Sequence, residues 1–389
     1  MAPIKEIEYF RVPPRWIFVK ITDADGKTGW GEASLEGNSE AVEGCLDGFR
    51  ERFVGMEANE IENIWQHAYR GSFYRGGPVI MSALAGVDIA LWDLKARRLN
   101  VPIYELLGGK VRSKIKVYTW VRGANAAACA NHAHVPLNFP SLVRKEQGFK
   151  AVKMTATEDL GWVDSPAALD DAVERLKAVK ATGVDCGLDF HGRVHKPMVK
   201  LLARKLEPHE PLFIEEPLLS DHPEGLRSLD TTIPVALGER LHSRWAFKPF
   251  LELGKVDILQ PDISHAGGIS ELRRIATMAE AYDVSLAPHC PLGPIALAAN
   301  FQINAVSANF FIQEMILDPN QNLSVGQGDL KGYTKNAEVW TIKDGMIDMM
   351  DGPGLGIEVD EERVRQSAVG TKSWRFPTFT GPGGELREW

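Results

Sequence analysis

The feature that most constrains this chain is a repeat of ionisable residues, each at the end of a short apolar run. Asp189, Glu215, Glu239, Asp262, His289 and Glu314 follow one another at steps of 26, 24, 23, 27 and 25 residues. A step near 25 residues holds one strand, one crossover helix and two short loops, the unit of a parallel β/α barrel. Apolar runs at 115–120, 151–155, 186–190, 212–216, 235–239, 258–262, 285–289 and 310–314 supply eight strands. An open doubly wound sheet uses similar units, but it reverses strand order and does not normally run to eight at so even a spacing. The expected fold class is α/β, a (β/α)8-type barrel.

The flanking segments have a different texture. Residues 4–31 alternate apolar and polar side chains around Asp23-Ala24-Asp25-Gly26, which predicts two antiparallel strands and a hairpin. From 41 to 107 the apolar spacing becomes three and four, as in Ile61, Ile64, Trp65 and Ala68, so helices follow until Gly108-Gly109 stops them. We therefore expect an α+β capping domain over 1–114, the barrel over 115–335, and a segment over 336–389 that returns to the cap through a hairpin around Lys343-Asp344-Gly345. The Gly- and Pro-rich tail carries no interpretable motif.

With 389 residues, 44% hydrophobic and 25% charged, the chain exceeds one ordinary core and is too apolar to be disordered. A net charge of −8 gives no electrostatic support for binding nucleic acid or an anionic membrane, though a small anion can still be held locally. No apolar run reaches the roughly 18 residues of a membrane span. Cys45, Cys129, Cys186 and Cys290 form no C-x-x-C and follow no secretory leader, so they read as reduced thiols of a soluble cytoplasmic protein.

In a parallel barrel the C-terminal strand ends converge on one mouth. Three carboxylates gathered there would repel one another unless a cation neutralised them. Oxygen donors with positions left for water and substrate suit Mg²⁺ better than Zn²⁺. Any one of these acids alone reads as a solvated loop residue or helix cap; three in phase read as a metal site. Asp262 and His289 fall on consecutive strand ends, where the carboxylate can fix one imidazole nitrogen and leave the other as a base. His191 shares strand parity with Asp189 and should face the mouth as well, as an acid, a further ligand or a loop donor. Alternation does not choose between Glu215 and Glu216. Gly267-Gly268 either opens a helix onto an anion or makes a tight turn. The remaining histidines, His242 and His265 among them, read mostly as surface groups. Arg15, Tyr74 and Arg75 are candidate donors for an anionic polyol.

These residues stand in strings that resemble the enolase superfamily, mandelate racemase subgroup, and within it the D-galactonate dehydratases. The resemblance runs nearly end to end. It includes Pro13-Pro14-Arg15-Trp16, Phe73-Tyr74-Arg75-Gly76-Gly77-Pro78, Leu188-Asp189-Phe190-His191-Gly192-Arg193, Phe213-Ile214-Glu215-Glu216-Pro217 and Ala287-Pro288-His289-Cys290-Pro291-Leu292-Gly293-Pro294. The resemblance implies a modified (β/α)7β TIM barrel with a cap, one Mg²⁺ per active site held by Asp189, Glu215 and Glu239, and a homo-oligomer. It implies His289, paired with Asp262, as base for the C2 proton of a sugar acid, His191 as acid for the C3 hydroxyl, and Glu314 as the partner of the substrate carboxylate. The implied reaction is dehydration of D-galactonate to 2-dehydro-3-deoxy-D-galactonate, with another aldonate such as D-gluconate, or a non-catalytic binding protein, as the alternatives. Racemases of the subgroup carry Lys-x-Lys on the second strand, whereas this chain reads Lys153-Met154-Thr155. A single base and an acid suit elimination better than racemisation. The first barrel loop, 122–140, departs from the pattern of those dehydratases.

Overall fold

The computed structural model describes residues 2–121, 145–157, 160–316 and 329–388; the divergent loop at 122–140 and Cys129 lie outside them. Three strands open the chain, β1 (Ile4–Val12), β2 (Trp16–Asp23) and β3 (Thr28–Glu32), paired antiparallel in that order. Helices α1 (Ser39–Phe53), α2 (Ile61–Arg70) and α3 (Pro78–Leu99) follow. α3 is buried over most of its length because it runs between the opening sheet and the barrel. Its contact with β3 is close enough that a Cβ on Gly31 would lie 1.9 Å from the Gly86 carbonyl oxygen, so the helix can approach only over glycine.

The barrel strands are β4 (Lys114–Trp120), β5 (Ala151–Thr155), β6 (Asp185–Asp189), β7 (Ile214–Glu215), β8 (Val235–Leu237), β9 (Ile258–Leu259), β10 (Ser285–Leu286) and β11 (Gln313–Glu314). Each is parallel to its predecessor from β4 to β10. β11 pairs with β4, and a Leu286 to Phe310 bridge joins β10 to the approach of β11, so the ring closes. Tyr118, Ala151, Phe213, Ala236, Ile258, Ala287 and Ile312 fill the interior. Gly187 leaves the space that the Phe213 ring occupies. The laddered strands are shorter than the apolar runs: Glu239, Asp262 and His289 stand two or three residues beyond the last paired residue, on the first turn of the loops.

The hairpin of β12 (Ile342–Lys343) and β13 (Met346–Asp348) pairs with the start of β4, on the barrel, and not with the opening sheet. The helix Glu361–Ala368 does reach that sheet, through Lys20 to Glu361 at 2.7 Å and Arg365 to Glu8 at 3.0 Å. Among the described residues no helix is long and apolar enough to cross a membrane, and Cys45 and Cys290 are free thiols.

Candidate active site

The strand-end residues do gather. His289 Nδ1 lies 2.8 Å from Asp262 Oδ2, while the Ser264 amide donates to Asp262 Oδ1 at 2.7 Å and fixes the carboxylate. The other ring nitrogen, Nε2, faces Glu239 Oε2 at 3.3 Å and Glu314 Oε2 at 3.9 Å. Burial opposes charge on His289, but Glu239, Glu314 and Asp262 outweigh it and raise the imidazole well above its ordinary range. Glu314 is held at both oxygens, by Trp120 Nε1 at 2.6 Å and the Cys290 amide at 3.0 Å. His191 Nε2 is 3.1 Å from Asp189 Oδ2, and its ring stacks on Trp120 with centroids 5.6 Å apart. His191 takes a positive φ of 49°, so it leaves strand geometry and reaches the mouth from a turn.

Asp189, His191 and Glu239 each offer a ligand atom within 4.8 Å of the others. Asp189 Oδ2 and Glu239 Oε2 are buried and face only ionisable groups, Lys153 and His191 at 3.1 Å and His289 at 3.3 Å, a hard-oxygen donor set of the kind a divalent cation takes. Glu215 is also turned into the barrel, but its oxygens are engaged by Lys153 Nζ, at 2.8 Å from each, and by Gln260 Nε2 at 2.7 Å. Glu216 faces away, toward Arg240 at 2.9 Å.

Lys153 was not singled out from the sequence. It is fully buried, and its ammonium also lies 3.1 Å from Asp189 and 3.3 Å from Glu314. Burial opposes its charge, yet Glu215 and Glu314 keep it protonated, well above the ordinary lysine range. The available signal was parity: 153 and 155 share the inward face of β5. His265 is a correction. It is buried, with Nε2 3.3 Å from Glu36 and 3.8 Å from Asp262. Glu36 in turn meets Arg15 at 3.3 Å. Arg15, Glu36, His265, Asp262 and His289 thus form a polar chain from the cap to the imidazole. The turn between β1 and β2 carries Arg15 into the cavity, but Tyr74 and Arg75 do not line it; both are exposed on the segment between α2 and α3. Gly267-Gly268 is also answered. The amide of Ser270 donates to Asp88 of α3, and a Cβ on Gly268 would meet that carboxylate at 2.5 Å. The helix start is therefore occupied by the cap, and the glycines serve close approach.

A cavity of about 890 Å³ opens above these groups, lined by Arg15, Thr155, His191, Glu239, His289 and, from the end of the chain, Trp374 and residues 376–379 and 386–388.

Barrel, cap and acidic cluster place a candidate metal site at the mouth of a capped β/α barrel. Residues 11–108 match the N-terminal domain of the mandelate racemase / muconate lactonizing enzyme family, and residues 140–363 match the enolase C-terminal domain-like family. The chain belongs to the enolase superfamily. It is 45% identical to a D-galactonate dehydratase of Variovorax paradoxus and 44% identical to one of Cronobacter sakazakii, each over 99% of this chain and 100% of the relative. Among solved structures, an enolase from Agrobacterium radiobacter with bound sodium and L-malate superposes with a TM-score of 0.87 at 30% identity, covering 100% of both chains. A member of the enolase superfamily from Salmonella Typhimurium gives 0.84 at 26% identity, over 94% of this chain and 98% of that one.

Proposed function

We propose that this protein is a Mg²⁺-dependent hydro-lyase that converts D-galactonate to 2-dehydro-3-deoxy-D-galactonate and water. The observation that carries the reading is the Asp262-His289 pair facing Glu239 from one side while His191 faces Asp189 from the other. The full-length likeness to D-galactonate dehydratases supports the substrate class.

A proton beside a carboxylate is very weakly acidic, so its removal needs an oriented base and stabilisation of the dianion that develops. Asp262 orients His289 so that Nε2 takes the C2 proton, and the electron pair of that bond moves into the carboxylate as an enediolate. Glu314, held by Trp120 and the Cys290 amide, is the partner of the substrate carboxylate. Asp189, Glu215 and Glu239 would hold Mg²⁺, which when bound would supply positive charge beside the substrate carboxylate. Collapse of the enediolate breaks the C3–O bond as His191 gives its proton to the departing hydroxyl, which leaves as water. The enol then tautomerises to the keto acid. Arg15 is the donor for the polyol. The same reading takes 1–114 as cap, 115–335 as barrel and 336–389 as the returning segment, in a cytoplasmic homo-oligomer.

The test is a screen of aldonates with Mg²⁺, followed by keto-acid formation and by exchange of the C2 proton in deuterated water. Turnover of D-galactonate ahead of its C4 epimer D-gluconate is expected. Exchange should persist in His191→Asn and vanish in His289→Asn. Failure of every aldonate to react or exchange would leave a non-catalytic binding protein as the reading, and the opposite mutant pattern would reverse the two histidine roles.

A further inference from the structure

The tail without a motif ends in the cavity. Residues beyond the helix Glu361–Ala368 leave the cap, and Trp374, Phe376 and Phe379 present aromatic surface to the space above the acidic cluster. Their placement is held at both ends. Arg375 donates to both oxygens of Glu40, at 2.9 and 3.0 Å, and to the Gly37 carbonyl at 3.0 Å. Residues 379–387 turn back on themselves, with the Arg387 amide bonded to the Phe379 carbonyl at 2.9 Å and the Gly381 amide to the Glu385 carbonyl at 2.8 Å. Arg387 Nη1 then donates to the Leu160 carbonyl at 2.8 Å, in the loop after β5. Two arginines are also engaged through their flat faces: Arg15, on the cavity wall, lies over Trp374, and Arg193, outside that wall, over Phe379, both at 5.1 Å.

We propose that this tail, 374–388, is the wall that sets the length of acid sugar the site accepts, with Phe379 as its specificity-determining residue and Trp374 as the positioning residue for Arg15. The inference rests on the dehydratase reading for its ligand class. The acidic cluster and its two imidazoles hold the carboxylate, C2 and C3, so the remaining carbons of a longer acid must run out against other walls. Aromatic faces cover the C–H side of such a chain, as apolar ring surface does in a sugar-binding pocket. Binding energy gathered there, away from the reacting atoms, helps hold C2 and C3 in register with the histidines.

Calorimetric titration in Mg²⁺ with D-galactonate, six carbons, and with a four-carbon aldonate tests this on the full chain, on Phe379→Ala and on a chain ending at Gly370. The intact enzyme should prefer the six-carbon acid, and that preference should fall about tenfold in Phe379→Ala, the loss of one aromatic contact, and at least as far in the shortened chain. Phe379 is 37% exposed, so its truncation removes little core should the shortened chain not fold. An unchanged ratio in Phe379→Ala, or no preference in the intact enzyme, overturns the assignment. Turnover is scored separately: binding with the expected ratio but without dehydration sinks the dehydratase reading and leaves the tail assignment standing.

Discussion

Lys153 Nζ sits 2.8 Å from each carboxylate oxygen of Glu215, inside the ring of acids that the strand ends create. Its ammonium offsets the charges of Asp189, Glu215 and Glu314, which are buried together. Replacing it with Met leaves those charges uncompensated, a change that typically costs about 3–5 kcal/mol. Lys153→Met should therefore unfold at markedly lower urea than the native protein without metal. Saturating Mg²⁺ should return part of the loss, because a ligand that binds only the folded state stabilises it. Equal urea midpoints for variant and native protein without metal would show that the acids do not need the lysine.

The bond from Asp262 to His289 Nδ1 leaves Nε2 to take a proton. Asp262→Asn keeps the shape but can present an N–H to Nδ1 and turn the proton onto Nε2. Loss of an oriented base typically costs about 10² to 10⁴ in rate, and kcat for dehydration should fall by that order with KM changed far less. A kcat within a few-fold of native would remove Asp262 from the mechanism.

Thr155 stands on the cavity wall where racemases of the subgroup place a second lysine. With threonine in place of that lysine, the enzyme should release only product that has lost water. Mass analysis of the products checks this, and an epimer of the starting acid with unchanged mass would restore a two-base reaction.

The strand-end acids were legible because a parallel barrel puts equivalent positions of every unit in one layer, so sequence phase becomes spatial proximity. Glu239, Asp262 and His289 kept that phase even though they lie on loops, since each loop leaves the mouth in the same direction. Lys153 was not legible as a counter-ion: a lysine in a strand ordinarily snorkels to water, and only three-dimensional crowding of acids explains a buried one. Tyr74 and Arg75 pose the opposite case. Their string resembles that of related enzymes, but similarity of a loop does not say which way it points, and here they are exposed. The tail gave no periodic signal, because its placement rests on a few contacts far apart in sequence.

Two buried acids of the cap fasten it to the barrel at helix starts, and their titration should appear in stability. Glu32 accepts from the amides of Gly293, at 2.8 Å, and Ala296, at 2.9 Å, where the helix Pro294–Val306 begins. Asp88 accepts from the Ser270 amide at 3.0 Å, in the first turn of Gly268–Ala281. Helix N-termini favour such anions, but burial dominates and pushes both carboxyls up to about 7. Their folded values thus lie above the ordinary 4.5 and 3.8, and the folded state holds more protons than the unfolded one between those limits. The contribution is fully present at low pH and is lost as pH rises toward 7, at about 1.4 kcal/mol per unit for each group. Glu32→Gln and Asp88→Asn remove one titrating group each. Urea unfolding from pH 5 to 8 should show native stability, relative to either variant, falling up to about pH 7 and then levelling. A difference that stays flat, or that grows with pH, would show that the carboxyl is ionised throughout and that the helix start, not burial, governs it.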